Sequence, residues 1–141
     1  MSEGKELFVL VVESDRVVAA TLAGVLHAGG YMAATTSSPV AALRIASRMV
    51  IDAAVITASG DSLIDTQTAS ALQNKYPHCR ILFVCAPAQV QETRLAAEEE
   101  GLACEFVVRP LSRAELLTKL AAAQGLSAEI KTFSGRQLQA A

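Results

Sequence analysis

Along the chain, short and almost unbroken apolar runs alternate with stretches whose apolar residues fall three and four apart. The first run, Leu7 to Val12, reads as a strand covered on both faces, because a strand exposed on one face would alternate with polar residues. Val18, Leu22, Val25 and Leu26 then recur at helical spacing, and Ala28-Gly29-Gly30 stops that helix. Residues 31–36 read as a weaker strand. Ser37, Ser38 and Pro39 read as a cap and first turn, with Ala42, Leu43, Ile45 and Ala46 in the short helix behind them. Ala53 to Thr57 is the third strand, followed by the loop ASGDSLID. Thr66 to Tyr76 predicts a helix with Ala69, Leu72 and Tyr76 on one stripe, ended by Pro77. Arg80 to Cys85 is the fourth strand. A helix from about Ala88 to Glu100 follows, closed by Gly101, and Cys104 to Val108 is the fifth strand. Ser112 and Glu115 predict a capping box for a last helix through Leu116, Leu117 and Leu120.

Strands alternating with helices imply an α/β fold, a doubly wound five-stranded parallel sheet with helices on both faces. At 141 residues there is room for one domain, placed at 1–124, with a less regular tail at 125–141 expected to fray or pack loosely. No Gly-x-Gly-x-x-Gly follows the first strand and no phosphate-binding Gly-x4-Gly-Lys-Ser/Thr occurs, so dinucleotide binding and P-loop hydrolysis lose their main support.

Composition narrows the function classes. Twelve basic residues against fourteen acidic ones leave a formal charge of -2 with no basic cluster, which argues against nucleic acid and anionic membranes as partners. The chain is rich in alanine, has no Trp and is 4% aromatic, so its helices are expected to be slim and close-packed, a poor platform for stacking bases. Cys79, Cys85 and Cys104 are odd in number and lack metal-ligand spacing, and His27 and His78 have no partner at such spacing. Free thiols, no evident signal peptide and no apolar run of membrane-spanning length point to a cytoplasmic protein.

In a parallel sheet the C-terminal strand ends lie side by side and are the usual place for a site. Here they carry Glu13-Ser14-Asp15 after strand one, Thr57 after strand three, Cys85-Ala86 after strand four and Arg109-Pro110 after strand five. Read alone, Ser14 is a candidate N-cap and Asp15 a helix-dipole acid. Cys85 reads as a small core residue, and Asp61 and Asp65 as solvated loop acids, of which Asp61 could reach the pocket. No acid/base pair or activated nucleophile assembles from these ends, so no enzyme is expected.

The order of elements, the acid after strand one and the basic residue before a proline after strand five resemble the CheY-like receiver domains of two-component response regulators, over roughly residues 6–123. The resemblance implies strand order 2-1-3-4-5, a phosphoryl group accepted by an aspartate ending strand three, Mg²⁺ held beside it by two acids after strand one, a Thr or Ser and a Lys on the phosphoryl oxygens, and a switch aromatic in strand five. On that pattern the acids match Glu13 and Ser14, the phosphoacceptor Thr57, the Thr/Ser position Cys85, the lysine Arg109, the aromatic Phe106 and the proline Pro110. The acceptor carboxylate and the second metal acid are gone, so neither aspartyl phosphorylation nor a bound metal or other cofactor is expected.

The function implied is a degenerate, stand-alone receiver-like signalling domain working in phosphorelay signalling through protein contacts. A face made of Val90, Thr93, Arg94, Phe106 and Pro110 would meet a histidine kinase, another signalling protein or a second copy of the chain. The alternative is a phosphorylatable regulator using Asp61. Arg109 is expected to pair with Glu13, or failing that with Asp61, as a fixed strut.

Overall fold

The computed structural model describes residues 7–121 of the chain; the expectation for the tail at 125–141 lies outside them. β1 (Phe8–Val12), β2 (Met32–Thr36), β3 (Ala53–Thr57), β4 (Arg80–Cys85) and β5 (Cys104–Val108) form one sheet in the order β2-β1-β3-β4-β5, with every pairing parallel. Four helices join them: α1 (Arg16–Ala28), α2 (Pro39–Ala46), α3 (Ser62–Lys75) and α4 (Val90–Glu100). The chain turns helical again over 113–121, here α5. This is the doubly wound architecture that the alternation predicts.

The period of two in each strand divides the core. Leu10, Ala54, Ile56, Ile81 and Phe83 pack on one face against Ala42, Ala46, Ala69, Leu72 and Ala97 of α2, α3 and α4. Val9, Val11, Val55, Leu82, Val84 and Val107 face the other way, onto Leu22 and Leu26 of α1 and Leu116 and Leu120 of α5. The helices of the first layer meet the sheet through alanines, so they can approach closely, as the composition suggests. All five residues of β1 are buried, as the unbroken apolar run requires of a strand covered on both faces.

Local chemistry sets the helix ends, and several differ from the sequence expectation. Asp15, not Ser14, caps α1: its side chain accepts from the amides of Val17 and Val18 at 2.9 and 3.1 Å. Ser38 caps α2 from the amide of Ala41, with Pro39 at the first helical position. α3 starts at Ser62, four residues ahead of the expected Thr66, because Asp61 caps it through the amide of Ile64 at 3.1 Å. The helix therefore takes up half of the expected loop. A 3₁₀ turn at Pro87–Gln89 precedes α4, and Gly101, at φ 69°, ends that helix in the left-handed region that favours glycine. Ser112 accepts from the amide of Glu115 at 3.0 Å, which is one half of the expected capping box.

Candidate functional site

Parallel register brings the ends of β1 and β3 together. Val12 pairs with Ile56, so Glu13 and Thr57 are the next residues on adjacent strands. The Glu13 amide is held by the Thr36 carbonyl at 2.9 Å. Its side chain is only 8% exposed. Oε2 accepts from the Asp15 amide at 2.8 Å, while Oε1 is buried with no hydrogen-bond partner. Thr57 Oγ1 is in the same condition, buried and without a partner.

Asp65 completes the setting, and it was not among the residues expected there. It lies in the first turn of α3 and is 5% exposed, not solvated in a loop. Its two oxygens accept from the Ser59 amide at 2.9 Å and the Ser59 hydroxyl at 2.8 Å. Burial holds its carboxyl above the ordinary value of 3.8; the Ser59 hydrogen bonds pull the other way, and the charge of Asp61 adds to the rise. Glu13, Ser14, Thr57, Ser59, Asp65 and Thr68 all line one cavity of about 130 Å³, together with the apolar Val12, Ile56 and Ile64. A larger, open groove of about 580 Å³ lies toward β2, where Arg16 and Thr35 join Glu13 and Ser14.

Of the five expected pocket residues, the structure brings Glu13, Ser14 and Thr57 together on this cavity, and leaves Cys85 and Arg109 outside its lining. Cys85 is fully buried at the end of β4; burial raises its thiol above the ordinary value, and the Thr93 hydroxyl lowers it somewhat by hydrogen bonding. The expected ion pair of Arg109 with Glu13 or Asp61 is not formed: among the described residues the ion pair within 4 Å is Lys119 with Glu105, at 3.9 Å. The strand order supplies the reason. β5 is three strands from β1, about 14 Å at the usual spacing, which is beyond the reach of one guanidinium to Glu13. Asp61 is occupied as the cap of α3.

On the α4–β5 face, Phe106 stacks on Phe83 with ring centroids 5.6 Å apart, and the Arg94 guanidinium sits 4.6 Å above the Phe106 ring. Val90 and Phe106 are half-buried and Arg94 and Pro110 exposed, with a cis Arg109–Pro110 peptide bond beside them. Thr93 corrects the expectation: it is 2% exposed and turned inward, so it cannot meet a partner. Leu95 and Val108, at 52% and 38% exposure, are apolar side chains on these two elements that the sequence reading missed.

The sequence matches no protein-family model and no curated protein. Solved structures do match. A response regulator receiver domain protein from Clostridium thermocellum superposes with a TM-score of 0.76 at 18% identity, over 88% of this chain and 98% of that one. The chemotaxis response regulator CheY4 of Vibrio cholerae gives 0.73 at 17%, over 84% and 99%. The receiver domain of the sensor histidine kinase PA1611 from Pseudomonas aeruginosa, solved with a magnesium ion coordinated in its active site cleft, gives 0.68 at 23%, over 86% and 99%. The chain therefore has the CheY-like fold of response regulator receiver domains.

The resemblance read from the sequence implies a magnesium site, and the residues here can be tested against it. The strand ends alone do not fit: they offer one carboxylate, Glu13, beside the hydroxyls of Ser14 and Thr57. Asp65 raises the count to two carboxylates around one cavity. Among the described residues no group of three His, Cys, Asp or Glu side chains is placed to hold a metal ion. Among the described residues no helix is long and apolar enough to cross a membrane.

Proposed function

We propose that the chain is a receiver-like signalling domain that acts by protein contact, without aspartyl phosphorylation and without catalysis of its own. The reading rests above all on Thr57. An acyl phosphate needs a carboxylate nucleophile at the end of β3. The residue there has a neutral hydroxyl with no base hydrogen-bonded to it. Asp65 does not replace it, since it is buried and both its oxygens already accept from Ser59. Asp61 is committed to capping α3, and no feature of its surroundings favours it as an acceptor.

The contact surface in this reading is the α4–β5 face, with Val90, Arg94, Phe106 and Pro110, extended by Leu95 and Val108. Aromatic, Arg and apolar groups on one face suit a protein partner. A histidine kinase, another signalling protein or a second copy of the chain fits that chemistry, and the balanced charge disfavours nucleic acid or membrane. The test is incubation with acetyl phosphate and Mg²⁺ followed by intact-mass measurement. No mass gain is expected. A stoichiometric phosphoryl adduct that is lost at alkaline pH would overturn the reading in favour of a working phosphoacceptor.

A further inference from the structure

Charge is unevenly shared across the outer face of α2, α3 and α4. These helices cover one side of the sheet; α3 packs against both of the others, with α2 toward β1 and β2 and α4 toward β5. From residue 16 to residue 51 the chain has no acid. Arg44, in the last turn of α2, and Arg48, just behind it, are both exposed. α4 carries Glu92, Glu98, Glu99 and Glu100, all exposed. Three of these acids crowd a last turn that has no basic residue, at the negative end of the helix dipole, so they cost the helix stability. Among the described residues, neither these arginines nor these acids belong to an ion pair. α3, in the middle, turns Gln67, Ala71 and Asn74 away from the sheet, three and four residues apart and uncharged. The face therefore reads positive, neutral, negative from α2 to α4.

We propose that this face pairs with the same face of a second copy of the chain, as a two-fold dimer with its axis along α3. Helices that join parallel strands all run back from the C-terminal strand ends, so the basic end of α2 and the acidic end of α4 lie at the same level. Rotation about α3 exchanges the two sides and keeps that level. It lays α2 of each copy along α4 of the other and sets α3 on α3. Arg44 and Arg48 then meet Glu92 and Glu99, and the exposed Leu43 meets the exposed Leu95. A pattern that is opposite in sign across its own axis is self-complementary, which is what a closed two-fold contact requires. The small, neutral stripe on α3 allows close approach at the axis. The size is sufficient: three helices about 10 Å apart, the longest about 21 Å, offer about 600 Å² per copy, so a pair buries about 1,200 Å², the low end for a specific interface. The proposal goes beyond the reading above. It makes no use of Thr57, and it leaves Phe106, Val108 and Pro110 free for another protein.

Analytical ultracentrifugation of the full chain over a concentration series, at low and at high salt, tests it. The wild type should show a monomer–dimer equilibrium that stops at two copies and weakens at high salt, as exposed charge pairs do. Two charge reversals, Arg44→Glu with Arg48→Glu and Glu92→Lys with Glu99→Lys, should each weaken self-association by about tenfold or more, because like charges then face each other. Mixed in equal amounts, the two reversed proteins should dimerise again, since every α2–α4 contact of the mixed pair joins opposite charges. Circular dichroism checks that each variant folds. If a paired reversal does not fold, Arg48→Glu mixed with Glu99→Lys carries the same comparison. A wild type that stays monomeric throughout, growth past two copies, self-association that survives both reversals, or a mixture that stays monomeric would overturn the proposal. The acetyl phosphate experiment reads mass and this one reads assembly, so a failure of the phosphorylation reading and a failure of the dimer are seen separately.

Discussion

Asp65 grips Ser59 with both carboxylate oxygens, one on the amide at 2.9 Å and one on the hydroxyl at 2.8 Å, and so ties the start of α3 to the segment leaving β3. The Ser59 hydroxyl in turn accepts from the Asp61 amide at 3.2 Å, and Asp61 caps the helix. Four residues of connection are thus held by their own side chains. A loop beside a site is usually the mobile part of a domain; this one is internally braced.

Ser59→Ala removes the hydroxyl arm and leaves the amide arm in place. The expected cost is about 1.5 kcal/mol, the low end for a hydrogen bond to a charged group, because Ser59 itself is exposed. Urea unfolding measures it. Hydrogen exchange at the amides of Ser59 and Asp61 should quicken in the variant, whereas exchange in β1 should not.

The α3 side of the pocket was legible in the sequence only in part, and Asp65 shows why. The stripe Ala69, Leu72, Tyr76 is apolar, and extending it back by one helical step lands on Asp65. Taking Asp61 as a loop residue instead of an N-cap cut the helix four residues short, so the acid fell outside the stripe. The five strands follow from the period of the apolar residues and their parallel run from the alternation with helices, whereas their order came from the family resemblance. Ser14 and Asp15 are both good caps, and only geometry chooses between them. Arg109 illustrates a different limit: strand ends that share one edge of a sheet are not all neighbours, and the order 2-1-3-4-5 already separates β1 from β5.

A double-mutant cycle on Glu13 and Arg109 should therefore give a coupling energy near zero, within about 0.5 kcal/mol, as for distant and independent sites. Denaturant unfolding of Glu13→Gln, Arg109→Ala and the double variant supplies the four corners. Coupling of 1 kcal/mol or more, of the order seen for contacting residues, would mean that the guanidinium reaches the β1 end in solution.

The contact between Arg94 and Phe106 makes the opposite prediction. A guanidinium 4.6 Å above a ring is within cation–π range, and Arg94 is exposed, so about 0.5–1 kcal/mol is expected from a cycle with Arg94→Ala and Phe106→Leu. The same substitutions should weaken any partner that uses the α4–β5 face, while Thr93→Ser, at a buried position, should not act by removing a contact.

Stability should fall at alkaline pH through Cys79. Burial is the main cause that raises its thiol from 9.0 to about 12. Between those values the unfolded chain has released the proton and the native one has kept it, so unfolding is favoured as pH rises. The loss should begin near pH 9 and grow toward 12. Comparing the pH profiles of the wild type and Cys79→Ala isolates the effect: the variant is less stable at pH 7 because of the space it opens, but its profile should be flatter above pH 9.

Thr57→Val tests whether the buried hydroxyl at the end of β3 costs stability. The strand position favours a β-branched residue, and valine keeps the shape while removing one polar atom. The Thr57 oxygen is a buried polar group with no protein partner, a condition that costs about 1–3 kcal/mol when nothing satisfies it. Valine should accordingly stabilise the protein by about 1 kcal/mol. Thermal melts of both proteins check this, and a variant no more stable than the wild type would show that the Thr57 hydroxyl is satisfied in solution.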